Sequence, residues 1–400
     1  MKISFKYISY FFLFVLGLSM TLTSCTDDLN VTPKDDDEFL SETFFQDPES
    51  YKQVLAKLYA GLYVGGNDGD GDAAVPSKSP DIAGLGGDFS SYLRLLFVTQ
   101  EFSTDEAIIA WADGALPTLN TQMWSPANEF LEGTFSRAFY HISVANEFLR
   151  QTTDEKLTAR GVDANLKAEI ATFRAEARFL RAFSYYNLMD LFGNVPITTE
   201  NDPVGFFYPE QKTRAEVFAF VESELKDLDN SLAASKTNEY GRVDKTAAKF
   251  LLAQVYLNAK VYTGTERYSE AVALCSDIIT GSGYTFANIP YGYLFSADNN
   301  RNGAQNEVIF PIVGDGNAIR ATGGGMSFIM HASIGGSMDA ASRGMDGGWQ
   351  GIRTRREFVN LFPDETATAD KRGTFYTAGQ AKDITNVATF TDGYAVTKYI

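Results

Sequence analysis

The sequence predicts a mainly helical protein with an irregular, loop-rich second part. Apolar residues recur at helical spacing through most of residues 47–280,. After Gly281, glycine, asparagine and aromatic residues dominate and helical periods become rare,. The chain has 400 residues, of which 44% are hydrophobic and 21% charged, as in packed globular proteins. Disordered, collagen-like and multi-span membrane classes are therefore excluded.

The N-terminus has the pattern of a secretory signal. Lys2 and Lys6 precede a short apolar run at residues 11–18, and small residues follow up to Cys25,. The run is too short to span a bilayer, so residues 1–24 are predicted to be a signal peptide. The stretch that ends at Cys25 looks like a bacterial lipobox, which predicts an acylated cysteine with palmitate-like chains as the membrane anchor. The alternative is an ordinary cleaved signal in which the cysteine is incidental.

Two acidic stretches near the N-terminus are predicted to remain in solvent. Residues 25–40 read as a flexible acidic tether,. Asp68, Asp70 and Asp72 alternate with glycine like the start of a calcium loop. The glycine and the glutamate that an EF-hand requires at its sixth and twelfth positions are missing,. The three aspartates are thus a weak calcium candidate, set against a flexible solvated loop.

Three helical segments follow in order. The Asp47-Pro48-Glu49 start predicts a helix to about Tyr63, and a glycine- and aspartate-rich loop follows it,. Ser125-Pro126 opens a second segment that reaches about Arg150. The clearest helix spans residues 165–192, where apolar residues share one face until Gly193-Asn194 ends it,.

The next helices include a tetratricopeptide-like pair. Thr213 and Glu216 form a capping box that starts one helix,. Asp244 caps residues 245–259, and a further helix runs from 267 to about 280. Within this pair, small and apolar residues fall at tetratricopeptide positions, and Cys275 is predicted to be a small buried apolar residue. Only this pair shows the repeat well, so a regular solenoid is not predicted.

The second part is predicted to consist of loops with short strands. Residues 307–310 are apolar and strand-like, and glycine clusters mark tight turns,. The sequence stops at residues 397–400 inside an apparent strand. The predicted division is therefore a helical part at residues 41–285 and a loop-rich part at 286–400 that is incomplete.

Charge and residue counts exclude several functions. The formal net charge is −17, which repels phosphate backbones and argues against nucleic acid as a partner. Two histidines and two cysteines leave few ligands for a zinc or iron site, and no metal or other cofactor is predicted. Nucleophile elbow, Walker, zinc-protease and dinucleotide motifs are missing from the sequence,. The chain is therefore predicted not to be an enzyme.

A family resemblance rests on an ordered series of segments. Residues 174–183, continuing through Tyr185-Tyr186 to Pro196, look like the central signature of the SusD/RagB family, the surface nutrient-binding lipoproteins of Bacteroidetes. The lipobox agrees, and the acidic residues after Cys25 resemble the surface-export signal of such lipoproteins. Further segments resemble the family in the same order: residues 102–106, 213–221, 241–242 and 247–257.

The resemblance implies a tetratricopeptide-based scaffold whose irregular second part completes a ligand site. It also implies a lipid-anchored position on the outer membrane, facing the cell surface. The implied partner is a SusC-like TonB-dependent transporter, to which the ligand is passed. Within the signature, Phe179, Leu180 and Phe183 are expected in the core. Arg174, Arg178 and Arg181 are expected to form salt bridges to neighbouring helices.

Loop aromatic residues are the candidate ligand contacts. Sugars present flat apolar faces and hydroxyl edges, which aromatic platforms and polar side chains bind. For each tryptophan, ligand binding competes with packing, and for the tyrosine cluster with an ordinary polar loop. The candidates are Trp111, Asp113, Trp124, Tyr291, Tyr293, Asn299, Arg301 and Trp349.

The predicted function is capture of an oligosaccharide or polysaccharide at the cell surface, without catalysis. Two alternatives remain open. The first is a peptide-binding uptake lipoprotein of the same type. The second is a surface glycoside hydrolase, because such enzymes need only two suitably spaced carboxylates and the chain has 51 acidic residues,.

Overall fold

The computed structural model describes residues 41–66, 80–87, 89–316 and 323–399. Cys25, the predicted signal and tether, and the predicted calcium candidates Asp68, Asp70 and Asp72 lie outside these residues. The chain divides into two units, Met1–Asp47 and Pro48–Ile400. The first unit contributes one short helix to the described residues, α1 (Ser41–Phe44). The predicted boundary at residue 285 stays a prediction.

The second unit is mainly helical, as predicted. Its longest helix, α7 (Ala164–Phe192), begins after Asp163, whose side chain accepts hydrogen bonds from two backbone N–H groups of the first turn,. The helices are α2 (Glu49–Ala60), α3 (Tyr92–Glu101), α4 (Leu116–Asn120), α5 (Glu129–Gln151), α6 (Asp154–Ala159), α7 (Ala164–Phe192), α8 (Arg214–Asp227), α9 (Lys245–Leu257), α10 (Ala259–Thr263), α11 (Tyr268–Gly281), α12 (Gly325–Ala332) and α13 (Arg356–Val359).

Helix α7 is the centre of the helical part. It packs against α2, α5 and α8, while α9 packs against α8 and α11. Phe179 and Leu180 are buried in the core, as predicted, whereas Phe183 is only partly buried. The capping box at Thr213 and Glu216 is present at the start of α8. Arg178 and Arg181 form the expected salt bridges with Glu224 of α8. Arg174 does not follow this expectation, because its guanidinium donates to the carbonyl of Leu149 and the hydroxyl of Thr152 instead.

A small antiparallel sheet organises the second part. Its strand order is β1 (Ala107–Ile109), β4 (Ile352–Thr354), β6 (Tyr394–Val396), β5 (Phe375–Tyr376). A strand from the helical part, β1, therefore lies at one edge. The strands of the molecule are β1 (Ala107–Ile109), β2 (Val195–Pro196), β3 (Gln211–Lys212), β4 (Ile352–Thr354), β5 (Phe375–Tyr376) and β6 (Tyr394–Val396). Strands β2 and β3 form a separate pair. A strand lies near the C-terminal end, but it covers Tyr394–Val396 and not residues 397–399, where the sequence predicted one.

An apolar core joins the sheet to the helices. Phe102 follows α3, Ile109 lies on β1, Phe328 lies on α12 and Ile352 lies on β4, and all four are buried in one cluster. Phe102 and Ile109 precede Phe328 and Ile352 by more than 200 positions in the sequence. The core therefore fixes the loops that follow β1 and precede β4 next to each other.

Two local predictions were wrong. Cys275 is exposed, because α11 packs mainly on α9 and buries only a narrow strip that includes Ala271 and Ile278. Residues 307–310 do not form a strand. The aromatic side chain of Phe310 instead packs edge-on against Phe179 of α7, with ring centroids 5.6 Å apart. The apolar character of both segments predicted burial, but it did not predict which other segment of the chain would pack against them.

Candidate functional site

The structure brings Trp111 and Trp349 together. Strand β1 pairs with β4 so that Ile109 lies opposite Ile352. The pairing extends by one hydrogen bond, from the N–H of Ala110 to the carbonyl of Gly351, at 2.9 Å. The two tryptophan rings consequently lie 6.2 Å apart between centroids, tilted by 48°. The indole N–H of Trp111 donates to the carbonyl oxygen of Trp349 at 3.0 Å.

The loop that carries Trp349 is fixed to the end of α12. The backbone N–H of Trp349 donates to the carbonyl of His331 at 2.7 Å, and that of Gly351 donates to Ala332 at 2.8 Å. The terminal carbonyls of a helix have no partner within it, so this loop satisfies them. Gly351 is required by close packing, because a Cβ there would lie 2.9 Å from the ring of Trp111.

His331 extends the aromatic surface. Its ring stacks on Trp349 with centroids 4.5 Å apart and planes 19° from parallel. Its Nδ1 lies 2.8 Å from the carbonyl of Ser327, which only accepts, so Nδ1 carries the hydrogen. Its Nε2 lies 3.1 Å from the carboxylate of Asp346. The imidazole is therefore held through Nδ1 in its stacked position on Trp349.

The two tryptophans differ in exposure. Trp111 is half-buried and packs against the core, with its ring 5.9 Å from that of Phe328. Trp349 is 38% exposed. Asp113 is exposed two residues after Trp111. The arrangement presents an aromatic surface with a carboxylate nearby in the chain, which suits the face and the hydroxyl edge of a sugar ring.

The predicted cluster around Tyr291 and Tyr293 contains a second group of aromatic rings in contact. Tyr291 contacts Phe295 at 5.2 Å between centroids, and Phe295 contacts Tyr399 at 6.0 Å. Tyr293 is exposed. The side-chain amide of Asn299 donates to the carbonyl of Leu294 at 3.3 Å, so it partly serves to fold its own loop.

Arg301 and Trp124 occupy other surfaces. Arg301 is exposed near the end of the loop that carries Asn299. Trp124 is 44% exposed in the turn between α4 and α5. The rings in contact with the tryptophan pair are instead Phe328 and His331. The predicted candidates therefore fall on more than one surface, and only Trp111 and Trp349 are joined by a direct contact.

A separate cavity of about 520 Å³ lies between α5 and residues 196–209. Aromatic residues line it, including Phe135, Phe139 and Phe206. Its polar groups are used within the protein: the amide of Asn146 donates to the carbonyl of Thr198 at 3.0 Å. Sugar binding requires unengaged donors and acceptors as well as apolar contact, so the tryptophan pair is the stronger candidate.

Sequence reasoning missed His331 as a part of the aromatic surface. The two histidines were considered only as metal ligands, and the helix α12 around His331 is apolar. Within the described residues, no cluster of three or more histidine, cysteine or acidic side chains is placed to hold a metal ion. In the same residues, no helix is both long and apolar enough to cross a membrane.

The fold and the site together define a helical scaffold that carries a loop-borne aromatic site. Comparison with known proteins identifies its relatives. A family model described as "Starch-binding associating with outer membrane" (SusD-like_3) matches residues 94–257. Starch-binding protein SusD of Bacteroides thetaiotaomicron is 34% identical over 366 residues. The chain belongs to the SusD-like family, which confirms the resemblance seen in the sequence.

The alignment with SusD covers 89% of this chain and 60% of the relative, so the chain spans less than two thirds of that protein. Solved structures confirm the fold. A SusD superfamily protein from Parabacteroides distasonis superposes with a TM-score of 0.63 at 18% identity, over 90% of this chain and 70% of the other. A SusD-like carbohydrate-binding protein from Bacteroides fragilis has a TM-score of 0.61 at 18% identity, over 85% and 63%.

Proposed function

We propose that the protein is a non-catalytic lipoprotein of the cell surface that binds glycans on the Trp111–Trp349 pair. The observation that carries this proposal is the exposed, stacked ring of Trp349, held against Trp111 by the β1–β4 pairing. Binding would come from contact between these rings and sugar faces, with polar side chains at the edges. The curated relative is named for starch binding, so an α-glucan is the first ligand to test.

We further propose that Cys25 anchors the protein to the outer membrane and that a SusC-like TonB-dependent transporter receives the glycan. The lipobox pattern supports the anchor, and the family's described association with the outer membrane supports its location. Replacing Cys25→Ala in the producing bacterium should move the protein from the membrane fraction to the soluble fraction. Retention of the variant in the membrane would contradict the lipid anchor.

The transporter step has its own test. The full chain with its anchor should co-purify in mild detergent with a transporter whose sequence identifies it as TonB-dependent. A strain that produces the Trp349→Ala variant should then take up less glycan, although the complex still forms. Normal glycan uptake by that strain would contradict delivery from the tryptophan pair to the transporter.

Native affinity electrophoresis tests the binding function. The natural chain without residues 1–25, including any continuation after residue 400, is run through gels that each contain one polysaccharide. We expect retardation in the amylopectin gel and no shortening of the polymer. The Phe286→Ala variant is the control because Phe286 is a highly exposed aromatic residue outside the site. It should be retarded like the parent, whereas Trp349→Ala should not.

Each alternative gives a different result. Shortened polymer chains would indicate a glycoside hydrolase. No retardation by any polysaccharide, together with binding of an oligopeptide library, would indicate the peptide-binding alternative. Retardation that is equal in the parent and in Trp349→Ala would support glycan binding but contradict the site.

A further inference from the structure

Gln350, next to Trp349, has a backbone conformation that favours glycine. Its φ is +57°, in the left-handed region where a Cβ crowds the following carbonyl. The surrounding segment uses glycine at positions 347, 348 and 351. Glycine would adopt this conformation at position 350 without the steric cost. Glutamine at this position therefore carries a steric cost that glycine would not, and the surrounding contacts indicate what its side chain can do.

Other left-handed residues show the structural role that such side chains can have. The described residues contain four non-glycine positions with positive φ: Gln122, Lys236, Gln350 and Ala367. The amide of Gln122 donates to the carbonyl of Ser103 at 2.8 Å. The ammonium of Lys236 donates to the carbonyl of Gly283 at 3.3 Å. In both cases the side chain ties its turn to a distant part of the chain.

The carboxamide of Gln350 has no such function. Within the described part of the chain, no hydrogen bond to this group is present, and the residue is exposed. Its aliphatic stem is nevertheless held in place. A Cβ at Gly335 would lie 2.4 Å from Cγ of Gln350, so the stem lies directly over that glycine. The backbone N–H of Gln350 also donates to Ile334 at 3.0 Å.

We propose that Gln350 is a ligand-contacting residue whose carboxamide binds the hydroxyl groups of a neutral sugar stacked on Trp349. This inference rests on the proposed function and names the ligand class. A carboxamide offers two donors and an acceptor without charge, which matches a hydroxyl that donates and accepts. The net charge of −17 disfavours anionic glycans at the same surface.

The Gln350→Gly variant separates this role from a structural one. It removes the carboxamide and the strain together, so its melting temperature should equal or exceed that of the parent. Its affinity is measured by calorimetry with an oligosaccharide of the polysaccharide that retards the parent protein in the gel. This affinity should fall about three- to tenfold, as expected for the loss of one or two hydrogen bonds. Gln122→Gly is the matched control, with the same residue type and the same φ of +57°. It should leave the affinity unchanged.

The outcomes distinguish this inference from the proposed function. Unchanged affinity in Gln350→Gly, with loss of binding in Trp349→Ala, would overturn the inference and leave the function standing. A lower melting temperature in Gln350→Gly would also overturn it, because the side chain would then serve the fold. Absence of glycan binding by the parent would overturn both proposals.

Discussion

The helical part and the loop-rich part bury charged groups in different ways. In the helical part, the carboxylate of Glu176 on α7 is completely buried and pairs with Arg242. In the loop-rich part, Arg353 on β4 is also buried, but backbone carbonyls of Val387, Thr389 and Asp392 accept its hydrogen bonds. Burial lowers the pKa of Arg353 to about 10, although the charge of Asp392 opposes this change,.

The difference follows from how the backbone carbonyl groups are hydrogen-bonded in the two regions. Most carbonyl groups inside a helix are already hydrogen-bonded, so a guanidinium among helices pairs with a carboxylate, as Arg242 does with Glu176, or with a carbonyl near a helix end, as Arg174 does with Leu149. Loop carbonyls can turn toward a common point, and three of them converge on the guanidinium of Arg353,. The Glu176–Arg242 contact of the helical part is thus an ion pair, whereas the buried arginine next to the aromatic site is held by backbone contacts. Mutations in the two regions should therefore differ in their effects.

Glu176→Ala should have the largest effect on stability. Besides Arg242, whose Nε donates to Glu176 at 3.0 Å, the hydroxyl of Tyr59 donates to it at 2.5 Å. Removal leaves a partly buried cation without its partner, which typically costs about 3–5 kcal/mol. Urea unfolding should show this loss. The control is Glu239→Ala, since Glu239 contacts the same arginine at 3.5 Å but is 64% exposed.

The control should change the free energy of unfolding by less than about 1 kcal/mol. If both variants had the same effect, the buried ion pair would not be what stabilises the helical part.

Acidification should weaken the helical part through His141. Burial is the main cause that lowers the pKa of this histidine to about 4. The folded state therefore binds fewer protons than the unfolded state, in which the pKa is about 6.5. The stability contributed by neutral His141 is present above pH 6.5 and is lost as the pH falls toward 4, by roughly 3 kcal/mol in total. Urea unfolding across this pH range gives the free energy of unfolding as a function of pH for the parent and for His141→Gln. The slope should be smaller in the variant. Parallel curves would contradict the prediction.

Arg353→Lys should destabilise the loop-rich part by about 2 kcal/mol. Lysine keeps the charge but lacks the planar fork that reaches several carbonyls at once, so carbonyl groups lose their partners. Arg372→Lys is the control, because Arg372 is largely exposed and pairs with Asp370. Thermal unfolding of both variants compares them. A loss as small as that of the control would show that charge alone suffices at position 353.

The two tryptophans should contribute differently to the stability of the protein, although both are expected to contribute to ligand binding. Trp111→Ala removes contacts with the core and should cost about 1–2 kcal/mol. Trp349→Ala removes an exposed ring and should cost less than about 1 kcal/mol. Thermal unfolding measures both. Equal losses would show that Trp349 is a core residue and would weaken its assignment to the ligand site.

Local sequence signals predicted the helices well. The predicted helix at residues 165–192 is α7 (Ala164–Phe192), because its apolar face and terminal glycine are both local. The capping box of α8 is equally local. Cys275 was predicted wrongly because its burial depends on how many helices pack on α11, which periodicity does not show. The strand at 307–310 was predicted wrongly because a strand needs a partner strand elsewhere in the chain.

The aromatic site was predictable only in part. Trp111 and Trp349 were candidates individually because both lie in glycine-rich or loop-like contexts. Their contact depends on the β1–β4 register across 238 positions, and the sequence contains no local signal for it. The same holds for His331, which reaches Trp349 only because the loop returns to the end of α12. The left-handed φ of Gln350 likewise has no signature in the residue type.

The central claim is that the exposed ring of Trp349 is the binding platform. Its most direct test is calorimetric titration of the parent and of Trp349→Ala with an oligosaccharide of the polysaccharide that retards the parent in the gel. Both proteins should unfold at similar temperatures, so any difference belongs to the site. The account predicts an affinity loss of about tenfold or more in Trp349→Ala, since one well-packed aromatic contact contributes on the order of 1 kcal/mol beyond its buried area. Equal affinities would contradict the claim that this exposed ring is the binding platform.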